Sequence, residues 1–125
     1  MVKSIISAII GFAILILGSA IEYRVVPNSF NEFDNEVKIL RQKIENETAT
    51  FDDGINVQNV WIEKKKTLHV LIPHNEIKEI DLWLSECCGL LETKTFDDAL
   101  TKLTVVSELI EQIPKTFSFR IENIM

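Results

Sequence analysis

The chain has 125 residues, enough for one domain, and 46% of them are hydrophobic, with a formal net charge of −6. From Asn28 onward acidic residues outnumber basic ones, eighteen to eleven. A surface of that sign repels phosphate backbones and anionic headgroups, which excludes nucleic acid as a partner. The run Lys64-Lys65-Lys66 is too short to reverse this and reads as a solvated helix face.

The hydrophobic residues are unevenly placed. Residues 4–21 carry no charge. As a helix they reach about 27 Å, close to the thickness of a bilayer's hydrocarbon layer. The pattern predicts one N-terminal transmembrane helix, with membrane contact through residues 4–21. Lys3 precedes the segment, and Tyr23 and Arg24 follow it at the level of the headgroups. This bias leaves the N-terminus in the cytoplasm and the rest of the chain outside it, as a single-pass protein of the cell membrane. A signal peptide cut after Ala20 is the rival reading, since Gly18-Ser19-Ala20 follows the apolar stretch. A buried core helix is the weakest of the three, because no polar face accompanies the run beyond serines and glycines. Residues 1–27 therefore form the anchor or signal peptide with its linker, and residues 28–125 an extracytoplasmic helical bundle.

Four amphipathic helices follow. The first is capped by Ser29, three residues before Glu32, and carries Phe30, Phe33, Val37, Leu40 and Ile44 at steps of three and four. Glu45 to Thr50 close it. The second starts at Thr50, with Asp52 and Asp53 in a first turn that favours carboxylates. Its inward face reads as Phe51, Ile55, Gln58, Trp61 or Ile62, Leu68 and Leu71, with Val57 and Val60 as further candidates, and Pro73 stops it. The third follows Pro73-His74-Asn75 and turns Ile77, Ile80, Leu84, one of Cys87 and Cys88, and Leu91 inward. Thr95 opens the fourth, with Asp98 at capping-box spacing, and the stripe Phe96, Ala99, Leu103, Val106, Ile110 and Ile113 runs to a stop at Pro114. Phe117 to Met125 is apolar at Phe117, Phe119, Ile121 and Ile124 and reads as an extended strip packed on the bundle. The fold class is thus all-α: one N-terminal transmembrane helix, then an antiparallel four-helix bundle with a short extended C-terminal tail.

The candidate sites are few, and each has a structural explanation that outweighs the chemical one. His74 stands at a helix corner, where an imidazole caps a turn more often than it binds metal. His69 lies five positions back, on another side of the helix, and no ligand set accompanies either. Cys87-Cys88 cannot bridge without distorting the intervening peptide, and a helix points the two about 100° apart, one into the seam and one outward. An intermolecular disulfide through the outward thiol is the minor alternative. Trp61 reads as core and Trp83 as core or rim. Glu76, Glu79, Asp81 and Glu86 read as the solvated face of the third helix, with no sign of the dry paired site that acid–base catalysis needs. Neither a phosphate loop nor a nucleophile elbow is present. No catalytic, cofactor-binding or metal residue is assigned, and no cofactor is implied.

The segment from Trp61 through Ile72, then His74-Asn75-Glu76-Ile77 with Ile80-Asp81, Asp98-Ala99-Leu100 with Leu103, Ile113-Pro114 and the final Asn123-Ile124-Met125 resembles domain-of-unknown-function family 4363. Met125 stands where leucine is usual in that family, and Phe51 where tryptophan is. The resemblance implies a short protein of Gram-positive bacteria with an N-terminal membrane segment, and it implies no reaction. Taken together, the residues point to a non-enzymatic, membrane-anchored interaction module that binds a protein partner or itself. A sensory bundle binding a small ligand or metal near His74 and Trp61 is the alternative.

Overall fold

A computed structural model of the chain describes the backbone of residues 2–124, and the side chains of residues 2–17 and 26–117. Four helices run in chain order: α1 (Val2–Glu45), α2 (Phe51–Leu68), α3 (His74–Glu92) and α4 (Phe96–Ile124). Each packs on its sequence neighbours, and α4 closes the ring against α1. Cross-helix bonds join each contacting pair: Lys43 of α1 reaches Asp53 and Lys64 of α2 reaches Glu32, Trp61 and Gln58 of α2 reach Asp81 and Ser85 of α3, Lys102 of α4 reaches Glu86 of α3, and Arg41 of α1 reaches Thr104 of α4. The result is an up-and-down bundle.

Three expectations about this architecture are overturned. Among the described residues no helix is long and apolar enough to cross a membrane, which removes the transmembrane helix expected over residues 4–21. Second, Ser29 caps nothing. It lies inside α1, which continues unbroken through Pro27. Third, the C-terminal tail is not extended, because α4 runs through Pro114 to Ile124. The side chains of Phe119, Ile121 and Ile124, expected to pack back on the bundle, lie outside the described residues; Phe117 is buried.

Pro114 fails as a stop and Pro27 leaves α1 unbroken for the same reason. An interior proline costs a helix about 3 kcal/mol. Yet Val26 and Phe30 are one helical turn apart on either side of Pro27, and both are buried. Ile113 and Phe117 bracket Pro114 in the same way. Burying each of these side chains contributes about 1.5–3 kcal/mol, so the pair offsets the proline. The periodic stripe outweighs the local break.

The core is built from the predicted stripes of α1 and α4 nearly residue for residue: Phe30, Phe33, Val37, Leu40 and Ile44 face Ala99, Leu103, Val106, Ile110 and Ile113. α2 differs. Its buried residues are Gly54, Val57, Trp61 and Leu68, while Phe51 and Ile62 are exposed. α2 also ends at Leu68, before Pro73, and a turn carrying Ile72 into the core fills the gap. On α3 both cysteines are buried, not one. Gly54 explains Cys88: a Cβ there would lie 3.0 Å from Cys88 Sγ and 3.0 Å from Leu91 Cδ1, so the bare glycine is what lets α2 approach α3. Cys87 lies one turn from Trp83, on the side that faces α4.

Helix ends are set locally. Thr50 and Asp53 form a reciprocal capping box, in which Asp53 N–H donates to Thr50 Oγ1 (3.2 Å) and Thr50 N–H to Asp53 Oδ2 (2.9 Å). The Thr50 N–H holds the Asp53 carboxyl below its ordinary range, helped by Lys43, against a smaller opposing effect of burial. After α1 and α3 the chain turns through Glu47 and Lys94, both left-handed at φ 57°. Thr95 N–H bonds back to Leu90, and the Thr95 hydroxyl lies 2.8 Å from that of Thr93.

Two measurements follow from this packing. In urea melts Gly54→Val should lose about 1–3 kcal/mol by forcing α2 from α3, and Cys88→Ala should recover part of that loss; strictly additive losses would show that the two do not touch. Asp53→Asn should cost about 1 kcal/mol at pH 7. Because the folded carboxyl titrates low, its contribution is present above the unfolded value of about 3.9 and disappears as pH falls through the folded value. The variant should therefore lose stability less steeply than the native chain below pH 4, as read by circular dichroism.

Candidate functional site

Two surface features stand apart from the closed bundle. The first is the N-terminal arm of α1. From Ile5 to Leu17 every large apolar side chain is at least half exposed, including Ile9 at 62%, Phe12 at 67% and Leu15 at 69%. Successive helical residues are turned by about 100°, so these side chains surround the helix and do not line one face. No charge interrupts them after Lys3.

The second feature is a groove of about 630 Å³ between α1 and α4. Pro27, Phe30, Asp34, Lys38 and Arg41 form one wall, and Ser107, Ile110, Glu111, Pro114 and Lys115 the other. Phe30 and Ile110 supply an apolar floor. The rim charges are neutralised within each helix: Lys38 pairs with Asp34 at 3.0 Å, Lys115 with Glu111 at 3.1 Å, and Arg41 with Glu45 at 3.3 Å. Such a rim exerts little net pull on an ion of either sign. The groove escaped sequence reasoning because each wall belongs to a different helix, and Pro114 at its end reads locally as a helix stop.

The residues singled out from the sequence are scattered around the bundle. His74 is exposed at the start of α3, whose cap, Pro73, makes no side-chain bond, so neither His74 nor Asn75 caps the helix. His69 is exposed and its Nδ1 lies 3.1 Å from the Lys65 carbonyl. Trp61 is buried and stacks on Phe33 at 4.9 Å between centroids; its Nε1–H donates to Asp81 Oδ1 at 2.6 Å, where Lys65 also bonds. That network ties α1, α2 and α3 together and leaves the indole satisfied. Trp83 sits at the rim, donating to Glu79 at 3.1 Å, with Lys102 Nζ 4.7 Å from its ring centroid and 3.2 Å from Glu86. Neither the groove nor a smaller cleft of about 90 Å³ between α1 and α2 includes His74 or Trp61. Among the described residues no group of three or more acidic, histidine or cysteine side chains could hold a metal ion.

Residues 20–124 match the family described as Domain of unknown function (DUF4363). The chain belongs to that family. The match takes in the whole bundle and leaves out residues 2–17, so DUF4363 membership describes the bundle and is silent on the arm. No curated protein and no solved structure matches the chain. Within this DUF4363 domain both thiols are held in their protonated form by burial. Burial pushes Cys87 up to about 12, with a further push from neighbouring Cys88, and burial raises Cys88 as well.

A buried, protonated thiol is a poor nucleophile. At pH 8 the folded protein should react with a thiol reagent at least 100-fold more slowly than the urea-unfolded chain, and equal rates would place the thiols at the surface. Because both groups titrate high in the fold, stability should fall as pH rises above about 9, where the unfolded chain releases protons that the folded one retains.

Proposed function

We propose that this DUF4363 protein is a non-enzymatic interaction module held at the cell membrane by its apolar arm. The observation that carries the reading is the all-round exposure of residues 5–17. A protein partner docks on one face of a helix and leaves the others wet, whereas lipid surrounds it. Exposed apolar surface of this extent requires cover. The exposed apolar side chains of residues 5–17 are enough to enter one leaflet, which needs no crossing of the bilayer. The acidic bundle would stand off from anionic headgroups, so the arm and not the bundle makes the contact. Lipid cover for the arm also agrees with the setting that the family resemblance implies, the envelope of a Gram-positive cell.

Tethering raises the effective concentration of partners in the same plane. The bundle then acts by binding a second protein or another copy of itself, and crosslinking in native membranes is the direct way to recover that partner.

Membrane contact is tested by flotation of the full chain with phosphatidylcholine vesicles. The native protein should rise with the lipid at both low and high salt, because the attraction is apolar. Ile9→Asp/Leu15→Asp should lower the bound fraction at least 100-fold while leaving the bundle's melting curve unchanged, since each buried carboxylate costs about 2.5–3.5 kcal/mol. If native and variant chains stay with the unbound protein alike, lipid is not what covers the arm.

A further inference from the structure

The two prolines that fail to stop their helices lie opposite each other. Pro27 of α1 and Pro114 of α4 line the same groove. Neither has an N–H, so each helix lacks one hydrogen bond at this level; in α4 the acceptor left without it is the Ile110 carbonyl. Each ring also crowds the carbonyl four residues back, which is the usual origin of a helix bend.

The level at which this happens matters. Lys64 bonds Glu32, and α2 ends four residues after Lys64, at Leu68. In an antiparallel pair Leu68 is therefore level with Asn28, so α2 ends beside Pro27. α3 begins at His74, at the same end of the bundle. Below the prolines α1 and α4 are braced by α2 and α3. Just beyond them Val26 and Phe117 are still in the core, and past that turn only α1 and α4 continue as helices. Two hydrogen-bond gaps thus coincide with the ends of α2 and α3, and a surface groove of about 630 Å³ opens between α1 and α4 beside both prolines.

We propose that Pro27 and Pro114 form a paired hinge, at the level where α1 and α4 leave the four-helix body, about which the arm of residues 2–17 changes its angle to the bundle. The hinge is a property of the chain alone and does not depend on lipid cover for the arm. Its use is plain once the arm is held: the bundle can tilt to meet a partner without withdrawing the arm or disturbing the core.

Distances between paired spin labels test this on the full chain in detergent. Labels at Ser4→Cys and Asn59→Cys, in a Cys87→Ala/Cys88→Ala background shown by its melting curve to be folded, report the arm against the bundle. A broad distance distribution is expected, narrowing to half its width or less in Pro27→Ala/Pro114→Ala, where both hydrogen bonds are restored. Pro73→Ala, in the α2–α3 turn, should leave it broad. A second pair within the bundle, Asn59→Cys and Glu108→Cys, should stay narrow throughout, which separates a hinge from a loosened fold. A native distribution as narrow as that of the double variant, or equal narrowing by Pro73→Ala, would overturn the hinge. Flotation has its own outcome: a chain that floats with a narrow distribution keeps its lipid contact and loses the hinge.

Discussion

Everything in this structure depends on one apolar seam. Val26, Phe30, Phe33, Val37, Leu40 and Ile44 form a single row along α1, and all are buried. Trp61 of α2 closes over the row through Phe33 and Phe30, and α4 lays its own row against it. The seam decides more than the position of the core. It carries α1 through Pro27, and so makes the exposed N-terminal arm continuous with the first bundle helix. Without the burial of Val26 and Phe30, α1 would have no compensation for the missing hydrogen bond and would begin after the proline.

The seam also explains how polar chemistry is distributed. No polar or charged residue is buried among the described ones, and every buried side-chain donor or acceptor there has a partner. The indole of Trp61 is the instructive case. It fills the centre of the bundle with its ring and brings its N–H to the edge, where Asp81 and Lys65 complete the contact. This use of an aromatic side chain is structural. Of the ionisable groups that suggest chemistry in the sequence, Asp81 and Glu86 are drawn into ion pairs with neighbouring helices, and Glu79 accepts from Trp83 within α3. The arm of residues 5–17, by contrast, is apolar and exposed.

Steps of three and four were legible in the sequence because they are a local property of helical geometry. The stripes of α1 and α4, the cap at Thr50 and the absence of strands in the bundle follow from that geometry alone. Family membership supports the same domain, since residues 20–124 match DUF4363. The inward face of α2 was read less well. Gly54 carries no side chain to signal burial, and Phe51 and Ile62 are apolar yet exposed. Which residues of α2 face inward depends on how closely α3 approaches, and only Cys88 and Leu91 across the interface reveal that.

What the sequence determined by itself was the number of bundle helices, most of their apolar faces and the apolar character of the N-terminus, because these depend on neighbours within a turn or two. What only the tertiary structure decided were the continuations through Pro27 and Pro114, the burial of both cysteines, the helical form of the tail and the groove between α1 and α4. Each of these weighs a local preference against contacts from a different helix. A proline's local cost is fixed by its ring, whereas the energy that offsets it comes from side chains distant in the chain, and the order in which the helices pack brings them together.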